Sequence, residues 1–244
     1  MGALRQLIPG RRRRRADRLT LGLAVVAVGT AGTVVGGEVL RLARRRAHRE
    51  PTPDGVLDTA EQAIGTAGLA TQDTVAVAAE GYDATPRGET VLFNILGGFL
   101  GGFALMRFST AGIRSGWWPF GNVSVRGHHV HHFVPGILIA FAAGGAGLIT
   151  QSTRFEQMLA VPFGAGVGLT FDEAALLLDL RDVYWTREGI LSVQVSFAAA
   201  ALLASTILGL RMLRRGERRV EARGAIPPAS PRDPWGSAMA PLPD

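Results

Sequence analysis

The sequence predicts an all-α, polytopic transmembrane helical bundle of about five spans, on three observations. Apolar residues make up 47% of the 244-residue chain and fall into long blocks separated by short charged stretches. A helix needs about 20 mostly apolar residues to cross the hydrocarbon of a bilayer, and several blocks meet or approach that length. The blocks are apolar nearly all round, where a soluble amphipathic helix would carry a polar face at the helical period. Arginines gather at the block ends, which suits membrane-surface anchoring and topology control.

Taken in order, residues 1–18 form a basic N-terminal tail containing the run Arg11 to Arg15. Residues 19–40 are the first block, closed by Arg41, Arg44, Arg45 and Arg46. The block is long for the apolar part of a signal peptide and a basic stop follows it, so an uncleaved anchor is expected, with a cleaved or twin-arginine signal as the alternative. Residues 41–89 are a polar linker in which 56–80 form a surface helix; Asp58, Glu61, Gln72 and Asp73 argue against a further span.

A four-helix transmembrane core follows over 90–212, with spans at 90–108, 133–150, 157–178 and 190–212. The second block carries Gly97, Gly98, Gly101 and Gly102, two overlapping small-residue spacings that let a neighbouring backbone approach closely. The neighbour is a helix of the same chain or of a second copy, a homo-oligomer through the Gly97–Gly102 helix. Abundant glycine, 32 in all, explains the pattern equally well. Residues 213–244 are first basic and then proline-rich, a composition that favours disorder.

Composition narrows the chemistry. Formal net charge is +6, and every one of the 26 basic residues is arginine. Because these arginines sit at block ends, a lipid bilayer rather than nucleic acid is the partner they indicate. Cysteine is absent, which excludes disulfides, thiolate metal ligands and cysteine nucleophiles. No HExxH, GxSxG or phosphate-binding loop is present. The chain also lacks the several separated histidine boxes of membrane desaturases, and no organic cofactor is indicated.

One constellation stands out. Four of the five histidines (His128, His129, His131 and His132) fall within Gly127–Phe133, just ahead of Pro135. Proline is tolerated in the first turn of a helix, which puts the cluster at the mouth of the third span. If the segment is helical, His128, His131 and His132 share a face; if extended, alternate residues do. The fourth span carries Asp172 and Glu173 within an apolar run, then Asp179. Carboxylates at bilayer depth are costly and persist where they face protein, a cavity or a counter-charge.

A short loop between the third and fourth spans makes them antiparallel, so the start of one and the end of the other share a membrane face. At the helical rise, Asp172 lies about 22 Å and Asp179 about 33 Å from the loop side, and His132 and His129 about 27 and 32 Å. Acids and imidazoles are therefore level. Arg107 ends the second span at that face, Arg126 precedes the histidines, and Asp182, Tyr184 and Trp185 follow the fourth span. Ser192, Gln194 and Ser196 open the fifth, and Trp117, Trp118, Tyr184 and Trp185 suit an interfacial belt.

Three uses of this site follow. His128, His131 and His132 with Asp172 have the donor types of a Zn or Fe ion, leaving Glu173 or Asp179 as a catalytic base in a metal-dependent membrane hydrolase. A metal-free relay through His and Asp would instead serve a proton- or ion-coupled transporter. In the third, His129, Arg107, Arg126 and Asp182 join the others in ion pairs that only hold the bundle together. The substrate is not encoded in any motif.

The pair of motifs GHHVHHFVPGI and LTFDEAALLLDLRDVYW resembles a group of actinobacterial multi-pass integral membrane proteins, over about residues 90–210. The resemblance implies the span count and the importance of both motifs, and no activity. Arginine density favours a cell-membrane location with the histidine-rich face extracytoplasmic. Five spans then leave the basic N-terminus outside, against the same rule.

Overall fold

Hydropathy and helix-forming composition translate into six helices among the described residues: α1 (Pro9–Ala47), α2 (Val56–Asp83), α3 (Arg87–Ser115), α4 (Phe133–Ile149), α5 (Thr153–Asp172) and α6 (Arg187–Ala222). The computed structural model describes residues 9–49, 55–119, 124–125, 128–129, 131–172 and 187–228. The only other regular element among them is a two-residue antiparallel ladder. It pairs β1 (Ser124–Val125) with β2 (His128–His129). The proline-rich segment after residue 228 and residues 173–186, whose first part, 173–178, is expected to complete the fourth span, lie outside the described residues.

Three stretches are long and apolar enough to cross a membrane: Leu21–Ala47 in α1, Arg87–Ile113 in α3 and Gln194–Ala222 in α6. Helix α4 is apolar but has 17 residues. Helix α5, of 20 residues, begins with Arg154 and Glu156 and ends at Asp172, which dilutes its apolar character. Large apolar side chains line the outer surfaces, among them Val25, Leu138, Phe141, Leu148 and Leu203, each more than half exposed. Extended apolar exposure of this kind is what a lipid-facing surface requires.

Local chemistry sets the helix ends. Gly116 closes α3 in the left-handed region (φ 75°), and the amides of Trp117 and Trp118 return to the Gly112 carbonyl. A residue with a Cβ would be strained there, which is why glycine commonly ends a helix. At α5 the Ser152 hydroxyl accepts from the Phe155 amide, an N-cap in the short turn after α4.

The chain divides into two compact units, the first of residues 1–30 and 86–208 and the second of 31–85 and 209–244. In the first, α5 lies between α3 and α4, and glycines set the spacing. Gly164 and Gly168 meet α3 backbone at Ile95 and Phe99, while Gly166 meets Gly136 and Ala140 of α4. A Cβ on any of the three would sit 2.0–2.5 Å from a backbone oxygen of the neighbouring helix. From α3, Gly98 and Gly102 return the contact to α5, whereas Gly97 and Gly101 have open space around them. These pairings make α3 and α5 parallel and α4 antiparallel to α5. Phe99, Phe103, Ala198 and Ala201 form the buried core, with Phe171 edge-on to Phe99.

Pro162 interrupts α5 and removes an amide donor from that stretch of helix. The buried Asn94 side chain donates to the Gln157 carbonyl at 2.8 Å, supplying a hydrogen bond in the turn the proline disturbs.

The second unit packs the end of α1, helix α2 and the end of α6 around Leu42, Ala70, Val77, Val220 and Ile226. Gly81 and Gly216 mark the closest approach of α2 and α6. Between α1 and α6 lies a buried charge cluster: Glu217 pairs with Arg41, Arg45 and Arg214 at 2.7–2.8 Å, and Arg41 also pairs with Glu38. These pairs set α1 and α6 parallel within this unit. Arg46 is bound by Asp73 of α2, and Arg223 by Glu80.

Candidate functional site

The helices of the first unit bring three expected residues together at one point. Asp172 ends α5, and its side chain is 1% exposed. Arg107, from the last turns of α3, donates through Nε to Asp172 Oδ1 and through Nη2 to the Asp172 main-chain oxygen at 2.8 Å. His132, immediately before α4, places Nε2 2.8 Å from Asp172 Oδ2. Each carboxylate oxygen thus has its own partner, one from α3 and one from the residue that precedes α4. The level calculated along the antiparallel pair becomes a direct imidazole–carboxylate contact.

Two further side chains secure the point. The guanidinium of Arg107 lies 5.6 Å above the centre of the Phe103 ring, a cation–π arrangement. Gln194 of α6 donates to the Phe171 carbonyl at 2.8 Å and the Asp172 carbonyl at 3.1 Å. Carbonyls at a helix end need donors, and away from water only protein can supply them. Arg107 and Gln194 together supply side-chain donors to the last two described carbonyls of α5. Sequence reasoning brought Gln194 to this face without a partner and did not single out Phe103; its position four residues before Arg107, on the same face of α3, is the signal that identifies it.

Exposure separates the three charged or titratable members. Asp172 is sealed, Arg107 is 15% exposed and His132 is 25% exposed. His132 is therefore the member that reaches the surroundings.

The remaining candidates divide. His131 stacks on Phe133 with ring centroids 6.0 Å apart. The backbone of His128 and His129 is extended in β2, and α4 begins only at Phe133, so the arrangement with His128, His131 and His132 on one helical face does not form. Pro135, in the first turn of α4, accounts for that start. The side chains of His128 and His129, and residues Arg126, Glu173, Asp179 and Asp182, lie outside the described residues.

Among the described residues, no three His, Asp or Glu side chains converge as a metal would require. The Arg107 guanidinium against Asp172 is also an unfavourable neighbour for a dication, because like charges would share one carboxylate. Comparison with protein-family models, with curated proteins and with solved structures gave no match.

Proposed function

We propose that this protein is a multi-pass membrane protein that handles protons at one rim of its bundle, as part of a proton- or ion-coupled transporter. One observation carries the reading: His132 hydrogen-bonds a sealed carboxylate whose other oxygen is held by Arg107. Ionisable groups at such depth are expensive and mark ion or proton pathways. Arg107 occupies one oxygen of Asp172, and His132, the most exposed of the three, is the group through which the site can exchange a proton with its surroundings. The alternating directions of α3, α4 and α5, the entry of α6 beside the end of α5 and the apolar α1 support five crossings. Arginines at the ends of α1 and α6 support a cell-membrane protein with the histidine rim extracytoplasmic.

The test uses purified protein in liposomes loaded with a pH-sensitive dye. The reading expects His132→Ala to abolish proton flux and free imidazole to restore part of it. Flux unchanged by His132→Ala refutes it.

A metal-dependent hydrolase is the second reading, supported by the four histidines at 128, 129, 131 and 132, of which His132 contacts Asp172. It requires Asp172 to exchange Arg107 for a Zn or Fe ion. One metal per purified chain, lost on His131→Ala or His132→Ala, would establish it in place of the relay. A purely structural site predicts neither metal nor flux, only loss of stability.

A further inference from the structure

The ion pairs of the second unit sort its arginines into two rows. The inner row, Arg41, Arg45 and Arg214, is spent on Glu38, Glu217 and Glu221 between α1 and α6. The outer row, Arg44, Arg211 and Arg218, is exposed and, among the described residues, is not paired with these acids. Helical geometry locates the outer row. On α6, Arg211 and Arg218 are seven residues apart and share a face beside Arg214, away from Gly216 and Val220, which pack inward. On α1, Arg44 follows Arg41 by three residues, on the side away from Leu42 and Arg46, which meet the core and α2. The pairing of Arg41 with Glu217 and of Arg45 with Glu221 puts Arg44 level with Val220. Arg44 is then about 3 Å along the axis from Arg218.

From this arrangement we propose that the α1–α6 groove of the second unit binds the phosphate group of an anionic lipid. A general basic collar would need no buried acids. Here Glu38, Glu217 and Glu221 offset the three inner arginines and hold them against each other, so that the outer three stand along a fixed groove with positive charge left over. Arginine donors in a planar fork match phosphate oxygens, and the exposed Leu40, one turn before Arg44 on the same side of α1, suits an acyl chain. Both helices are among those apolar enough to cross a membrane, and the arginines lie toward the ends of those stretches, where headgroups would be. The proposal does not depend on the proton-handling site.

The experiment measures binding of phosphatidylglycerol to the full chain in neutral detergent, with phosphatidylcholine and inorganic phosphate as the other probes. Phosphatidylglycerol should bind saturably and phosphatidylcholine should not. Arg211→Gln/Arg218→Gln should weaken binding roughly twenty-five-fold, taking about a factor of five for each arginine near a headgroup. Arg154→Gln, an exposed arginine of the first unit, should leave it unchanged. Should the double variant fail to fold, each single variant should show its own five-fold loss. Competition by inorganic phosphate would show that the groove also takes the free anion; failure to compete would show that the lipid's remaining contacts are needed. Equal loss in Arg154→Gln, or no loss in the groove variants, would overturn the proposal.

Discussion

Replacing Asp172 with Asn keeps the side chain's size and removes the charge on which Arg107 and His132 converge. Asp172 is 1% exposed and Arg107 15% exposed, so the guanidinium would be left facing an amide away from solvent. Stranding one member of a buried ion pair costs about 3–5 kcal/mol. Arg107 retains its hydrogen bond to the Asp172 main-chain oxygen and its place over the Phe103 ring, which puts the expected loss near the lower end, about 3 kcal/mol. Removing the stranded charge as well, in Arg107→Met/Asp172→Asn, should recover part of that loss, with a coupling of about 1–3 kcal/mol between the two sites. The assay is equilibrium unfolding in mixed micelles, titrating a denaturing detergent against a mild one. Asp172→Asn within about 0.5 kcal/mol of wild type, together with additive effects in the double variant, would refute the geometry on which the site rests.

The glycine contacts give a paired test. Gly164→Ala and Gly168→Ala should each destabilise by about 1–3 kcal/mol, because the new methyl would lie 2.0 and 2.3 Å from the carbonyl oxygens of Ile95 and Phe99. Gly97→Ala and Gly101→Ala, with open space at both positions, should be neutral or stabilising by up to about 1 kcal/mol in the same unfolding assay. Asn94→Leu should cost about 1–3 kcal/mol by leaving the Gln157 carbonyl without its side-chain donor, read as a lower unfolding midpoint. Elemental analysis of the purified chain should find Zn and Fe well below one atom per molecule, and the same in His132→Ala.

What the sequence disclosed followed from quantities that are nearly constant along a chain. Helical rise and a short connection are enough to bring His132 level with Asp172, and side-chain length then closes the gap to 2.8 Å. Arg107 was legible as a cation at the same face. Its pairing with Asp172 was not, because that depends on α3 lying parallel to α5, which local sequence does not dictate. Gly164 and Gly168 set that arrangement at the same four-residue spacing as Gly98 and Gly102, but such a spacing does not say which helix is the neighbour. The charge cluster of the second unit was hidden for a different reason. Glu38 and Glu217 are far apart in sequence, and each sits beside arginines that read as a solvated collar. Only the parallel packing of α1 and α6 shows that those acids are buried and their arginines spent inward.

Proton movement through the reconstituted protein is the most direct measure of the central claim. Under an imposed membrane potential, liposomes carrying the wild-type chain should acidify or alkalinise measurably faster than protein-free liposomes, and those carrying Asp172→Asn should match the protein-free rate. Identical rates for wild type and protein-free liposomes, from folded protein, would contradict it.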